Sequence, residues 1–320
     1  MKKNESENLN SDYTCKDISV FKIYLQSFFH KSTRKSMLRY LGTVLKDFFL
    51  LQFSVKLGFK KIPVVNVDHP LDETVPFTPE RVSVYLDFIC FWIRPLVYIG
   101  RRFGKEAQYK YTEQFLDLVN TCYLRAAEIY RFRMSTTRRP KYLKGQFFTI
   151  HALDPHFLCV PSLHVIIVVL AYTFYRKAFA ELNMLKDEMD TLSRELFAGA
   201  IEITETVLYI KQHSVNCIPA ALYTIGNVTP DEVSPVEAAV FIESLFAGAE
   251  DIHQENVANI RRHIFEIYER LLLEGCHESD WSIPLKRWLD DAYPLEETAP
   301  EDIAISIQEE ETAFAAVAES

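Results

Sequence analysis

Glycine is scarce in this 320-residue chain, whereas bulky aromatic residues are abundant. There are 9 glycines against 23 phenylalanines and 16 tyrosines. β-Sandwiches and doubly wound sheets need glycine in their turns, so this composition argues against them. With 48% hydrophobic and 25% charged residues, the chain is typical of globular rather than disordered proteins. We therefore expect an all-α fold, with enough chain to bury a core.

Charge is divided unevenly along the chain. Residues 1–145 hold 25 of the 35 Lys and Arg and 14 of the 44 Asp and Glu, a net charge of +11, whereas the remainder carries −20. A basic first half suits a phosphate-bearing ligand or an anionic membrane surface. The acidic second half would repel DNA and RNA, so we expect no nucleic-acid partner.

Three windows approach the hydropathy of a membrane span but fall short of one. The windows 41–59 and 82–100 each contain charged residues, which are costly at the centre of a bilayer. Only 160–175 is free of formal charge, and its 16 residues are fewer than the roughly 20 that span a bilayer. Residues 1–16 lack the apolar region of a secretory signal. We therefore expect a cytoplasmic protein, either soluble or peripherally attached to a membrane.

Apolar residues at three- and four-residue spacing predict helices along most of the chain. The predicted helices cover 18–29, 37–59, 80–102, 106–132, 161–182, 183–211, 230–247 and 253–274. The predicted organisation is a polar leader (1–16), an N-terminal helical region with a proline-rich connector (17–79), a helical core (80–226), C-terminal helices packed on that core (227–293) and an acidic, mobile tail (294–320).

Three short stretches concentrate the residues that phosphoryl transfer requires. They read RFRMSTTRRP (131–140), VPSLHV (160–165) and ETVLYIKQHSVNC (205–217). Phosphoryl transfer depends mainly on positioning and on cations and N–H donors that neutralise the phosphoryl oxygens. Each stretch alone is explained equally well as a solvated basic loop, a helix start or a core histidine. Together, and in this order, they favour a phosphate site.

The stretches resemble the signature of the type 2 phosphatidic acid phosphatase (PAP2) superfamily, which includes lipid phosphatases, bacterial acid phosphatases and vanadium haloperoxidases. Arg139-Pro140 matches the end of its first element, and Pro161-Ser162-Leu163-His164 matches its second. His213 aligns with the nucleophile of its third. The resemblance covers about 80–225 and implies a helical bundle of the PAP2 type, acting without a metal or cofactor.

The resemblance also implies a role for each side chain. His213 would attack phosphorus to form a phosphohistidine, while His164 would protonate the departing alkoxide. The side chains that would bind phosphate are those of Arg133, Arg138, Arg139, Ser162 and Lys211. Pro161 at the start of a helix would leave the N–H groups of the first turn facing an anion.

Three positions depart from the family pattern. Thr206, Val207 and Cys217 stand where the family has serine, arginine and aspartate. A nucleophilic histidine needs its second ring nitrogen tied to an acceptor, for which Cys217 is a poor substitute and Asn216 a neutral one. Three functions therefore stay open: a phosphatase for a phosphomonoester or lipid phosphate, an impaired relative that only binds phosphate or a lipid headgroup, and a helical interaction scaffold.

No pattern predicts a metal site. His151, Asp154 and His156 lie close together, but Pro155 would break any helix that placed two of them on one face. The six cysteines form no CxxC pair and lie mostly in apolar runs. We expect reduced core residues rather than a disulfide framework or a zinc site.

Overall fold

In the computed structural model, residues 13–295 are described, except for the side chains of residues 149, 152 and 153, and they form twelve α-helices and two short strands. The helices are α1 (Phe21–Phe29), α2 (Lys31–Thr43), α3 (Leu50–Lys56), α4 (Val82–Phe103), α5 (Lys105–Phe132), α6 (Gln146–Leu153), α7 (Leu163–Glu181), α8 (Lys186–Tyr209), α9 (Cys217–Val228), α10 (Pro235–Ser244), α11 (Gln254–Gly275) and α12 (Ser282–Ala292). The strands are β1 (Val64–Asn66) and β2 (Met134–Thr136). The all-α prediction is confirmed.

Helix α7 lies at the centre of the bundle. Every side chain from Val165 to Tyr175 is buried, and the helix packs against α4, α5, α8 and α9. A helix that is apolar on all sides is stable only when other elements surround it. The charge-free window 160–175 is therefore a core helix of this fold.

Two helical segments, Pro79–Phe103 and Leu163–Glu181, are long and apolar enough to cross a membrane, judged by length and composition alone. The most apolar window of the second is 78% buried within the protein, whereas that of the first is 33% buried. Packing in the core accounts for the apolar character of α7. Helix α4, by contrast, leaves apolar side chains such as Leu86 and Ile89 exposed at the surface.

The N-terminal helices differ from the predicted boundaries. A π-helical segment (Val44–Phe49) joins α2 to α3, so the chain is helical without interruption from Lys31 to Lys56. The prediction placed this helix at 37–59, six residues late at its start. The reason is that α2 buries the small polar side chains of Thr33 and Ser36, which a search for apolar periodicity overlooks.

The proline-rich connector and the predicted basic loop pair with each other. Strands β1 and β2 run parallel, with Val64, Val65 and Asn66 opposite Met134, Ser135 and Thr136. A 3₁₀ turn (Pro70–Thr74) follows in the connector. Neither three-residue strand was predicted, because such a strand is too short to show alternation.

Further elements correct the predicted pattern. Helices α6, α9 and α12 were not predicted as separate elements, and α8 begins three residues after 183 because Asn183 adopts a positive φ of 51°. Cys15, placed by the prediction in the polar leader, is buried and donates its backbone N–H to Glu195. Residues 1–12 of the leader and 296–320 of the predicted tail lie outside the described residues.

Candidate functional site

Ser135 joins the first two of the three stretches. Its backbone N–H donates to Phe157 O at 3.0 Å, and its carbonyl accepts from Cys159 N–H at 3.2 Å. Its hydroxyl also accepts from Val160 N–H at 2.7 Å. The basic stretch and the segment before α7 are thus held together by backbone bonds.

The start of α7 brings Ser162 and His164 to the site. Ser162 is the N-cap and its hydroxyl accepts from Val165 N–H at 3.4 Å. Pro161, predicted to open the helix, instead precedes the cap, and Leu163 is the first helical residue. The peptide bond between Val160 and Pro161 is cis. Because the cap uses the Ser162 hydroxyl, one of the N–H groups expected to face an anion is already bonded.

His213 lies in a turn just after α8. The backbone N–H groups of Gln212 and His213 both donate to Val207 O, at 2.9 and 3.1 Å. This turn places His213 Nε2 at 3.3 Å from Ser162 Oγ and at 3.3 Å from His164 Nδ1. The second and third stretches therefore meet at His213.

Asp72 of the connector fixes the His213 turn from outside. One carboxylate oxygen accepts from Val215 N–H at 2.8 Å and the other from His69 N–H at 2.7 Å. The Asp72 carbonyl accepts from Lys211 Nζ at 2.5 Å, and the Val75 carbonyl is a second acceptor for that ammonium. Lys211, predicted to bind phosphate, is thus committed to backbone carbonyls.

The two neighbouring arginines of the first stretch have different partners. Arg139 donates from Nη2 to Asp154 Oδ2 at 3.0 Å and from Nη1 to Asp154 O at 3.2 Å, and its side chain is 6% exposed. Arg138 has an exposed side chain, and its backbone N–H donates to the Asp68 carboxylate. Among the predicted phosphate-binding cations, Arg139 has a buried side chain and lines the same cavity as His213.

Three predicted site residues are bonded elsewhere. Arg133 donates to the carbonyls of Leu289 and Tyr293, at 3.0 and 2.9 Å, and so anchors the end of α12 rather than a ligand. Cys217 Sγ accepts from Ser214 N–H at 3.4 Å. Neither Cys217 nor Asn216 bonds the ring of His213, so the prediction that one of them orients the nucleophile is wrong in this structure. Asn216 bonds three other groups: Val67 O, the Tyr293 hydroxyl and His263 Nε2.

Two cavities meet at His213. The first, the polar cavity, has a volume of about 210 Å³ and contains the cations Arg138, Arg139 and Lys211 together with three carboxylates. Those carboxylates belong to Asp68, Asp72 and Glu73. An anion in the polar cavity would therefore compete with carboxylates for the cations.

The second cavity, the apolar cavity, has a volume of about 350 Å³. Most of its wall is aromatic or aliphatic, and it also contains His164, His156 and Asp154. The His164 ring packs against Tyr85 and Phe88, with ring centroids 4.7 Å apart in both pairs. Within the described part of the chain, His213 is the one residue that lines both cavities.

Several buried polar atoms in the cavity walls have no hydrogen-bond partner among the described residues. They are Arg139 Nε, His213 Nδ1 and both polar atoms of the Gln212 amide. Gln212 is 1% exposed and His213 is 8% exposed. Buried polar groups in folded proteins are nearly always bonded, and each orphan costs about 1–3 kcal/mol. Their concentration here indicates a site that a ligand or water completes.

Burial keeps the histidines of the site neutral. It lowers the pKa of His164 to about 4. It also lowers the pKa of His213 well below its ordinary value, and the neighbouring His164 lowers that pKa further. The pKa of His156 is also well below its ordinary value, first because of burial and then because of Arg139. At neutral pH these rings hold lone pairs rather than positive charge.

Sequence reasoning missed part of this site. His156 accepts or donates a 2.7 Å hydrogen bond with Thr137 Oγ1, and Asp154 holds Arg139. Both belong to the dense group around His151 that was weighed only as a metal site. No group of three or more His, Cys, Asp or Glu side chains between residues 13 and 295 has the arrangement of a metal site. Gln212 carries no sequence signal at all.

Compared with known proteins, the chain matches no protein-family model, no curated protein and no solved structure.

Proposed function

We propose that the chain is a metal-independent phosphatase of the PAP2 type, which acts on a phosphomonoester or lipid phosphate through a phosphohistidine. The observation that carries this proposal is the 3.3 Å approach of His213 Nε2 to both Ser162 Oγ and His164 Nδ1. These residues come from the second and third sequence stretches, and Arg139 of the first stretch lines the polar cavity together with His213. The partner is a phosphate-bearing molecule rather than a nucleic acid.

In this mechanism, neutral His213 attacks phosphorus through Nε2. In-line displacement requires the phosphoryl group to lie between the nucleophile and the acid. The two rings are in contact before substrate binds, so the His164 ring must turn toward the apolar cavity, whose wall it already forms. Arg139 Nε, which has no partner in the described residues, then donates to a phosphoryl oxygen.

The acid step needs a proton that the resting site does not hold. Since burial lowers the pKa of His164 to about 4, the ring is neutral at pH 7. A bound phosphate brings negative charge next to the ring and raises that pKa. We therefore expect the proton to arrive with a singly protonated phosphate ester, and the rate to rise as the pH falls from 8 toward 6.

A second candidate function is binding of phosphate or a lipid headgroup without turnover. One observation favours it: His213 Nδ1 is buried and has no partner among the described residues. In the serine-protease triad, loss of the group that orients the histidine lowers kcat about 10⁴-fold. A comparable penalty here would leave a binding protein.

The test is phosphate release from a water-soluble aryl phosphate in the presence of EDTA. We expect wild-type turnover that His213→Ala reduces at least about 100-fold. The matched control is His277→Ala, which removes an exposed histidine and should keep wild-type activity. Equal rates for wild type and His213→Ala would refute the phosphatase.

Vanadate separates the remaining functions. Vanadate binding that requires His213 and Arg139, without turnover, identifies the binding protein. Neither binding nor turnover leaves the helical interaction scaffold.

A further inference from the structure

The N-terminal helices expose an unusual amount of apolar surface. Between residues 13 and 295, twelve large apolar side chains are more than half exposed, and seven of these lie within 21–59. We call the exposed apolar side chains of this segment the N-terminal apolar face; Phe29, Leu38, Leu45 and Phe59 are among them. Contiguous apolar surface of this kind marks a docking site.

The face has the pattern of a helix that lies in a membrane interface. Leu38, Leu41, Leu45 and Phe49 follow one another at spacings of three and four residues along the continuous helix and are all exposed. They therefore form one stripe. Lys35 and Lys46 alternate with the stripe along the sequence and are exposed, and long basic side chains can reach a headgroup layer while an apolar stripe is buried.

The charge of this segment is almost entirely positive. Residues 21–61 contain nine Lys or Arg and a single acidic residue, Asp47. Asp47 is buried and paired with Arg131, so it does not weaken the positive surface. The complement of such a surface is an anionic bilayer. The −20 charge of residues 146–320 would turn the other half of the chain away from it.

The apolar cavity opens at the same side of the molecule. Phe49, Leu86 and Ile89 line that cavity and are also 39–49% exposed, so they form its mouth. Phe49 belongs at once to this mouth and to the apolar stripe. His164 and His213 line the same cavity and are more buried than these three residues. Its volume of about 350 Å³ lies within the range of ligand sites, and its wall suits a hydrocarbon chain.

We propose that the N-terminal apolar face docks on an anionic lipid bilayer, and that the apolar cavity takes the acyl chain of a lipid phosphate whose phosphate reaches His213. The assignment of a lipid phosphate as substrate rests on the proposed phosphatase function. Docking of the face on the bilayer does not.

Docking is tested by co-sedimentation of the full chain with phosphatidylcholine vesicles, with or without phosphatidylserine. Wild type binds the anionic vesicles, and binding weakens as salt rises. The double variant Leu38→Glu/Leu45→Glu binds at least about tenfold more weakly. Neither leucine lines a cavity, so this variant keeps its activity on a water-soluble phosphomonoester.

A matched control uses two exposed aliphatic residues of α10. Val236→Glu/Val240→Glu should bind vesicles as wild type does, since these residues lie outside the face. Wild type that does not bind anionic vesicles overturns the docking proposal, and so does equal weakening by the two double variants. A dimer in solution that Leu38→Glu/Leu45→Glu dissociates also overturns it, because the face would then be covered by a second copy.

The acyl-chain site is tested separately with a fluorescent fatty acid and with alkyl phosphates. Wild type binds the fatty acid, and Ile89→Trp, which fills the mouth, lowers its affinity. For alkyl phosphates, KM falls by up to about fourfold with each added methylene in wild type but not in Ile89→Trp. Fatty-acid binding without turnover would refute the phosphatase and leave the chain site standing; no fatty-acid binding would refute the chain site.

Discussion

Replacing His164 with phenylalanine should flatten the acid dependence of stability. Phenylalanine keeps the aromatic packing against Tyr85 and Phe88 but cannot take up a proton. In wild type, burial lowers the pKa of His164 from 6.5 to about 4 in the folded state. The unfolded chain therefore binds a proton on this residue below about pH 6.5, whereas the folded chain does not until about pH 4.

The size of the effect follows from that difference. A pKa difference of one corresponds to about 1.36 kcal/mol. The difference between 6.5 and about 4 thus lowers the free energy of unfolding by at most about 3 kcal/mol between pH 7 and pH 4. Stability falls as the pH falls, because protons favour the unfolded state in this window.

Urea unfolding at several pH values between about 4 and 7 measures the effect. We expect wild type to lose about 3 kcal/mol more than His164→Phe over that window. The pKa of His213 is also lowered by the neighbouring His164, so its contribution is smaller in the variant and adds to the difference in the same direction. His277→Phe, which removes an exposed ring, should follow the wild-type curve. If wild type and His164→Phe lose the same free energy, the argument that burial keeps this ring neutral is refuted.

Three further variants probe the remaining parts of the site. Cys217→Asp should destabilise the fold by about 3 kcal/mol or more without raising turnover, because Sγ faces Ser214 N–H in the core. Urea unfolding measures the stability and a phosphatase assay the turnover. A faster enzyme would contradict this geometry. Gln212→Leu should raise the free energy of unfolding by about 1 kcal/mol, since it removes a buried amide that has no hydrogen-bond partner between residues 13 and 295. It should also weaken vanadate binding in a titration. Arg139→Lys should weaken vanadate binding about tenfold, because lysine lacks the planar guanidinium that can bond Asp154 and an anion at the same time. Unchanged affinity for vanadate would show that Arg139 is not part of the site.

The helices that bury large apolar side chains could be predicted from sequence. The pattern in α7 is continuous, and the ends of α4 and α5 were each predicted within about two residues. The start of α2 could not be, because Thr33 and Ser36 do the packing there. Strands β1 and β2 form only where the two segments meet, which local sequence does not encode.

The approach of His164 and His213 was expected from sequence, because both residues lie in stretches that resemble parts of one family signature. The prediction that Arg133 binds phosphate was wrong. Nothing in RFRMSTTRRP indicates that its guanidinium donates to the carbonyls of Leu289 and Tyr293. Gln212 and Asp154 depend on tertiary contacts for their roles and have no motif of their own. A sequence shows which residue types are present and how they are spaced, but not which groups they contact in the folded protein.

The hydrogen bonds between Asp72 and the His213 turn join residues more than 130 positions apart in sequence. Closing a loop of this length costs more conformational entropy than forming the local contacts of a helix, so these contacts form later than the helices do. During refolding, helical content should therefore recover before the hydrogen bonds between Asp72 and the His213 turn do. A nascent chain that ends before Lys211 would contain α4, α5, α7 and α8 and still lack the turn that carries His213.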